Sequence, residues 1–150
     1  MIYYTNFDKE RDFADLYREW VGHTPEFKGI QTNSYWVGAK DTETNKWIGA
    51  AQLIVVDDPI YDRRWGLVEN VYVAKDYRRR GVGTQLMREV EAMAFTFGCE
   101  FIKLTSRKEE GKALYRSLGY GEGSSFRKEL SSEAVFSKFV QEDFCRSAGL

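Results

Sequence analysis

The chain has 150 residues, of which 43% are hydrophobic, and it carries 22 basic against 23 acidic side chains. This length fits one domain with a single core, and the apolar content excludes a disordered chain. A net charge near −1 argues against a nucleic-acid partner, because such proteins present a strong basic field. We therefore expect one folded domain that binds no nucleic acid.

Cysteine and histidine are scarce in this sequence. Two cysteines, Cys99 and Cys145, and one histidine are too few for a disulfide framework or a four-ligand zinc site. Reduced thiols are typical of the cytoplasm. The longest apolar stretch, 48–56, contains Gln52 and is far shorter than a membrane span of ~20 residues. The sequence predicts a cytoplasmic protein with no bound metal and no membrane contact.

The spacing of apolar residues predicts the element order βαβββαβαβ. The predicted strands cover residues 2–4, 35–39, 47–56, 67–73, 100–105 and 125–130. A first helix is expected after the cap candidates Asn6 and Asp8, and the segments 22–33 and 57–66 are predicted loops. This order favours an α/β fold: a mixed, mostly antiparallel twisted sheet with helices on both faces.

A last helix is predicted over residues 131–150, beyond a domain of residues 1–130. One face of this helix carries four apolar residues, which are Phe136, Phe139, Val140 and Phe144. Such a stripe requires a covering surface, because burial of aromatic rings is strongly favourable. Two alternatives stay open: the stripe packs on its own sheet, or it packs against a second subunit in a homodimer.

The turn between the fourth strand and the next helix combines three arginines with two glycines. A helix N-terminus offers free N–H groups and the positive end of its dipole, so adjacent cations are unfavourable there unless an anion binds. The spacing excludes a dinucleotide fingerprint, which needs a third glycine, and a P-loop, which ends in Lys-Ser/Thr. The turn therefore predicts a phosphate site, and the alternative is a solvated basic face.

The run Arg-x-x-Gly-x-Gly, from Arg78 through Gly81 to Gly83, follows a strand that ends in Val-Tyr-Val. In these residues the chain resembles the GNAT superfamily of N-acetyltransferases. The likeness extends over 67–119, where the run that begins at Ala113 is similar to the family's Ala-x-x-Tyr-x-x-x-Gly-Phe element. The resemblance implies an N-acetyltransferase that holds acetyl-CoA, its cosubstrate, in the cleft after the fourth strand.

The same resemblance implies which residues hold acetyl-CoA. Backbone groups of Val71 and Val73, which flank Tyr72, would pair with the pantetheine arm as an added strand does. Lys108 stands near the place where the family often has an asparagine, and it is assigned to a phosphate. Backbone amides and basic side chains would hold the pyrophosphate at Arg78, Arg79, Arg80, Gly81, Val82, Gly83 and Thr84.

Transfer to an alkylamine needs a base, because an amine with a pKa near 10 is charged at neutral pH. Glu69 is a carboxylate in an otherwise apolar strand, at period-two spacing with Val71 and Val73, so we expect it on their face and aimed at a cleft. It is similar to the strand glutamate of polyamine-type family members. The alternative is a structural ion pair with Arg78 or Arg107.

Tyr115 is, by the same resemblance, the group that protonates the departing thiolate, whose parent thiol has a pKa of about 8.5. The alternative for this tyrosine is a core position, which is usual for an aromatic residue on an amphipathic helix. His23 is an alternative base, although no orienting partner is visible in the sequence.

The acceptor is expected to contact the two loops that flank the fourth strand, 22–34 and 57–66. The second loop holds residues suited to a cationic amine by charge and by cation–π contact, which are Asp57, Asp58, Tyr61, Asp62 and Trp65. We expect a small, polyamine-like or lysine-like amine, with an aminoglycoside, an amino acid or a protein N-terminus left open. A non-catalytic acyl-CoA-binding module is the other class, and it would need neither Glu69 nor Tyr115.

Overall fold

The computed structural model of the chain describes residues 1–7, 14–23, 33–123, 125–133 and 135. Within them, seven strands form one sheet: β1 Ile2–Phe7, β2 Ser34–Asp41, β3 Lys46–Asp58, β4 Arg63–Val73, β5 Phe101–Leu104, β6 Gly121–Glu122 and β7 Phe126–Glu129. The helices described are α1 Ala14–Val21, α2 Val82–Thr96 and α3 Glu109–Ser117, and a 3-10 turn covers Lys75–Tyr77.

The strands lie in the order β1-β2-β3-β4-β5-β7-β6. Every neighbouring pair is antiparallel except β4 with β5, which is parallel. Helix α2 packs on one face, where Leu86 approaches Gly49 and Ala94 approaches Gly66. Helix α1 packs on the other face through Tyr17, whose ring contacts Trp36. The predicted mixed sheet with helices on both faces is confirmed.

The third and fourth strands are longer at their connection than the sequence pattern predicted. The segment 57–66 is mostly strand, because β3 runs to Asp58 and β4 begins at Arg63. Asp57 pairs with Arg64 and Asp58 pairs with Arg63 across the two strands. The prediction of a loop here is wrong because opposite charges on neighbouring strands extend the hairpin.

Two further predictions concern the chain ends. Asn6 lies in β1, and Asp8 lies outside the described residues. Of the predicted helix 131–150, residues 132, 133 and 135 have helical backbone, and the apolar stripe lies outside the described residues. In the described part of the chain no helix is long and apolar enough to cross a membrane.

A buried ion pair joins α2 to β7, near one edge of the sheet. Lys128 Nζ lies 3.0 Å from both carboxylate oxygens of Glu91, and the Tyr120 hydroxyl donates to Glu91 Oε1 at 3.1 Å. All three residues are buried. Because an unpaired buried charge is costly, this pair fixes the position of α2 relative to β7.

Candidate cofactor cleft and catalytic residues

Strands β4 and β5 separate after a short common stretch. They pair over three residues, from Gly66 with Ile102 to Val68 with Leu104, and β5 ends there while β4 continues to Val73. Along residues 69–73, this edge of β4 has no strand partner in the described part of the chain. The separation leaves an open backbone edge inside the sheet.

The backbone direction of β4 shows which groups face this open edge. The Ala74 N–H donates to Ile48 O at 2.7 Å, toward β3. Because successive strand residues direct their N–H and C=O groups to opposite edges, those of Val73 face the open edge. Those of Val71 do so as well, two residues earlier. An extended ligand can pair with Val71 and Val73 as an added strand does.

A β-bulge interrupts β4 at the start of the open edge. Glu69 lies opposite Gln52 while Tyr72 lies opposite Ala50, so β4 has one extra residue between these pairs. Asn70 adopts a left-handed conformation with φ of 51°, and its Nδ2 donates to Gln52 Oε1 at 2.8 Å. Asparagine tolerates this conformation better than most residues.

The bulge changes which side chains share a face. Glu69 and Tyr72 both point to the α1 side, whereas Val71 and Val73 point to the α2 side. The expectation that Glu69 shares a face with Val71 and Val73 is therefore wrong, because the extra residue shifts the alternation by one. The carboxylate and the two valines lie on opposite sides of the same strand.

Helix α2 begins directly beside this edge. Gly81 is its N-cap with φ of 77°, and no side chain caps the helix. The first intrahelical bond runs from Gln85 N to Gly81 O, so the preceding amides of 82–84 are available to an anion. A Cβ at Gly83 would lie 3.3 Å from Leu114 Cδ2, so the close packing of α2 on α3 favours glycine there.

The three arginines before α2 are exposed, and two of them have defined contacts. Arg78 Nε donates to Val73 O at 3.0 Å. The Arg80 guanidinium lies 4.9 Å from the centre of the Tyr77 ring. Arg79 adopts φ of 60°, an unusual conformation for a residue with a Cβ. The turn thus holds three cations next to the available helix amides, as the phosphate prediction requires.

The Tyr77 hydroxyl anchors the same turn to the sheet by donating to the Asp41 carboxylate. This hydrogen bond holds the pKa of Asp41 below its usual value and raises the pKa of Tyr77. The position of Arg80 therefore depends on a contact with the end of β2.

Tyr72 connects the end of β4 to α1. Its ring stacks on Trp20 at 4.9 Å with an interplanar angle of 8°, and its hydroxyl donates to Glu19 Oε2 at 3.3 Å. Burial and the nearby Glu19 carboxylate raise the pKa of Tyr72. The Arg78 guanidinium also lies 5.4 Å from the centre of this ring. An aromatic pair therefore lies on the same face as Glu69.

The side chain of Glu69 is exposed and forms no ion pair or hydrogen bond within the described part of the chain. Arg78, a predicted alternative partner, bonds to Val73 instead, and Arg107 is exposed. His23, the alternative base, is exposed and lies two residues after the end of α1. The carboxylate of Glu69 is thus available to an incoming cation.

Tyr115 is 6% exposed and lies on α3 in contact with Tyr120 and Phe126, whose ring centres are each 5.9 Å away. Burial raises its pKa to about 12, so the hydroxyl keeps its proton throughout the neutral range. The neighbouring Leu114 packs against Gly83, which brings this part of α3 to the start of α2. Lys108 is exposed and directly precedes α3.

The segment 57–66 does not line this cleft. Its tip lies about 20 Å along β4 from Glu69, at ~3.3 Å per residue, and the ring of Trp65 stacks on Phe101. Its residues line a separate cavity of about 410 Å³ near Gly98 at the C-terminal end of α2. Asp57 and Asp58 already pair with arginines, so these carboxylates are less available to a cation than that of Glu69, and acceptor recognition by this segment stays a prediction.

The sequence analysis assigned Tyr72 to the cosubstrate site but did not single out Asn70 or Trp20, which lie beside it. An asparagine in the middle of a β-rich run is itself a signal for a bulge, because asparagine is rare in strands and tolerates positive φ. The stacking of Trp20 on Tyr72 joins residues more than fifty positions apart, and no local pattern predicts such a pair.

The sequence model of the acetyltransferase (GNAT) family matches residues 2–120 of the chain. Aminoglycoside N(6')-acetyltransferase type 1 of Acinetobacter genomosp. 13 is 40% identical over 57 residues, which cover 37% of this chain and 39% of that protein. The match thus spans well under half of that relative. Among the described residues, no three His, Cys, Asp or Glu side chains gather as ligands for a metal ion.

Solved structures of acetyltransferases share the fold. An acetyltransferase of Trypanosoma brucei superposes with a TM-score of 0.68 at 19% identity, over 87% of this chain and 98% of that one. An aminoglycoside acetyltransferase from an uncultured soil metagenomic sample has a TM-score of 0.66 at 18% identity, over 82% of this chain and 93% of that one. At these identities the likeness shows the fold alone.

Proposed function

Because the chain belongs to the acetyltransferase (GNAT) family, we propose that it transfers the acetyl group of acetyl-CoA to a primary amine. The observation that carries this proposal is the open backbone edge of β4 beside the uncapped N-terminus of α2. The edge suits the amide-bearing pantetheine arm, and the helix amides with the three arginines suit the pyrophosphate. One continuous site thus matches both parts of the cosubstrate.

Glu69 takes the proton of the ammonium acceptor, directly or through a water molecule. The freed nitrogen lone pair then forms the new bond to the carbonyl carbon of the thioester, the nitrogen releases its second proton to solvent, and the carbon–sulfur bond breaks with its electron pair on sulfur. The exposed, unpaired carboxylate of Glu69 supports this role. Its place on the α1 side of β4 means that the amine approaches from that face.

Tyr115 stabilises the departing thiolate by donating a hydrogen bond. With a pKa of about 12 for Tyr115 and about 8.5 for the parent thiol, complete proton transfer to the thiolate is unfavourable by roughly 3.5 pKa units. Donation without complete transfer suits such a hydroxyl, and the thiolate takes its final proton from water. The raised pKa therefore favours a hydrogen-bond donor over a full acid.

The acceptor is a small cationic amine. Glu69 and Glu19 supply carboxylates, and the stacked rings of Trp20 and Tyr72 supply an aromatic surface on the same side of β4. Such groups suit an alkylammonium by charge and by cation–π contact. An aminoglycoside is the second candidate, favoured by the relative that is 40% identical over 57 residues.

An assay of thiol release from acetyl-CoA over a panel of amines tests the proposal. The panel contains a diamine, a polyamine, an aminoglycoside and a lysine peptide. Turnover with at least one amine is expected, whereas binding without turnover on the whole panel indicates a non-catalytic acyl-CoA-binding module. Acetyl-CoA at ~100 times its Kd should stabilise the fold by about 2.7 kcal/mol, and the variant Gly81→Glu should lose this stabilisation.

A further inference from the structure

Arg78 makes two contacts on the sheet besides its place in the phosphate turn. Its Nε donates to Val73 O at 3.0 Å, and its guanidinium carbon lies 5.4 Å from the centre of the Tyr72 ring. Val73 O faces the open edge of β4, where an added strand would pair. The side chain of Arg78 thus occupies part of the edge proposed for the pantetheine arm.

We propose that Arg78 sets the specificity for the acyl donor by covering this edge until a pyrophosphate draws its guanidinium away. The inference rests on the proposed function. A guanidinium is always charged, and it pairs with a phosphate through two parallel hydrogen bonds between opposite charges, whereas Val73 O offers it one bond to a neutral carbonyl. A ligand that carries a pyrophosphate therefore both displaces Arg78 from Val73 and retains it in a stronger bond.

An acyl group on pantetheine alone has no anion to offer Arg78. It must compete with the guanidinium for Val73 O, and it forms no ion pair with Arg78 that would offset the lost hydrogen bond. The neighbouring Arg79 and Arg80 strengthen the preference of this turn for an anionic ligand, since like charges close together are unfavourable. The enzyme should therefore discriminate against S-acetylpantetheine by more than the missing phosphate contacts alone would cause.

The test compares S-acetylpantetheine with acetyl-CoA on the wild-type chain and on Arg78→Ala. Titration calorimetry or ligand-observed NMR gives the two dissociation constants, and the thiol-release assay gives kcat/KM for each donor. Removal of the competing hydrogen bond should tighten S-acetylpantetheine binding about three- to tenfold. Loss of the cation should weaken acetyl-CoA binding about tenfold or more.

Arg80→Ala is the matched control, because it removes the same charge from the same turn while its guanidinium lies on Tyr77. It should weaken acetyl-CoA binding and leave S-acetylpantetheine binding unchanged. Arg78→Met keeps the length of the side chain without its donors, and it replaces Arg78→Ala should that variant fail to fold. Thermal unfolding of each variant verifies the fold.

Opposite effects on the two donors support the inference. If Arg78→Ala leaves S-acetylpantetheine binding unchanged or weaker while the wild type binds acetyl-CoA, Arg78 is an ordinary phosphate ligand and the inference is wrong, whereas the proposed function stands. If the wild type binds neither donor, the proposed function fails and this inference fails with it.

Discussion

The turn before α2 combines an unfavourable backbone conformation with repulsion between like charges, and both fall within the three residues 78–80. A residue with a side chain in a rare backbone conformation costs about 1 to 3 kcal/mol, and Arg79 adopts φ of 60°. Three cations beside a positive helix end add to that cost. Such strain persists where a ligand site requires it, and a bound anion offsets the repulsion.

Replacement of Arg79 by glycine should separate stability from binding. Arg79→Gly relieves the backbone strain and removes one cation, so the free energy of unfolding should rise by about 1 kcal/mol. Binding of acetyl-CoA should weaken several-fold at the same time. Urea unfolding and titration calorimetry measure the two effects. Arg79→Lys keeps the charge and the strain, so a similar gain in stability with lysine would contradict this explanation.

The variant Glu69→Gln should lower kcat by about 10²- to 10⁴-fold, because the amide cannot accept the ammonium proton. Acetyl-CoA should still bind with wild-type affinity, since Glu69 lies on the α1 side of β4. The thiol-release assay with the best amine of the panel measures kcat, and calorimetry measures the Kd for acetyl-CoA. A wild-type rate in this variant would assign the base to another residue.

At the scale of elements, the bulge in β4 sets the direction of every side chain after it. Asn70 makes the bulge possible through its positive φ and its bond to Gln52. Without the extra residue, Tyr72 would turn away from Trp20. The contact of Tyr72 with α1 and the side of β4 proposed for the amine both depend on this one position.

Two substitutions at position 70 test that dependence. Asn70→Val places a β-branched residue at φ of 51° and removes the bond to Gln52, so it should cost about 2 to 4 kcal/mol of stability and most of the activity. Asn70→Gly accepts the same φ and should keep the bulge, with activity within tenfold of the wild type. Equal losses in the two variants would show that the backbone conformation is not the cause.

The order of most strands and helices followed from apolar spacing, because each element buries one periodic face. The sequence could not show where β4 and β5 separate, since the length of a parallel pairing depends on contacts between distant residues. The ion pair of Glu91 with Lys128 joins positions 37 apart and is likewise invisible to local patterns. The motif at Arg78, Gly81 and Gly83 pointed to the family that the family model matches, because its residues are contiguous in the chain.

Buried tyrosines and Cys99 make the free energy of unfolding of the protein decrease at alkaline pH. Burial raises the pKa of Tyr115 from 10.0 to about 12 and that of Cys99 from 9.0 to about 11. Between its unfolded and its folded pKa, each of these groups is deprotonated in the unfolded chain and protonated in the folded one. The free energy of unfolding therefore falls as the pH rises. Below its unfolded pKa, each group contributes its full stabilisation to the free energy of unfolding.

Tyr115→Phe should make the decline in stability shallower above pH 10, because phenylalanine cannot ionise in the unfolded chain. Urea unfolding at several values between about pH 8 and 11 measures the slope, and Cys99→Ala should flatten the earlier part of the curve. The rate profile of Tyr115→Phe should keep the wild-type shape below about pH 10, since the wild-type hydroxyl stays protonated there. If the wild-type rate falls below about pH 10 at the alkaline side and the rate of Tyr115→Phe does not, the raised pKa of Tyr115 is contradicted.

We further predict, from the apolar stripe of the segment 131–150, that the chain forms a homodimer. Light scattering on the full chain gives the oligomeric state, and a chain that ends at Leu130 should be a soluble monomer. A full-length monomer at micromolar concentration would instead mean that the stripe packs on its own sheet.

The open edge of β4 has a consequence for the protein between catalytic cycles. Unpaired strand edges are templates for association with other chains, and natural proteins protect them with charge. No strand pairs with this edge in the described part of the chain, and the guanidinium of Arg78 lies over part of it. We expect the charge of Arg78 to disfavour association of this edge with other chains, so the variant Arg78→Ala should aggregate at a lower protein concentration than the wild type.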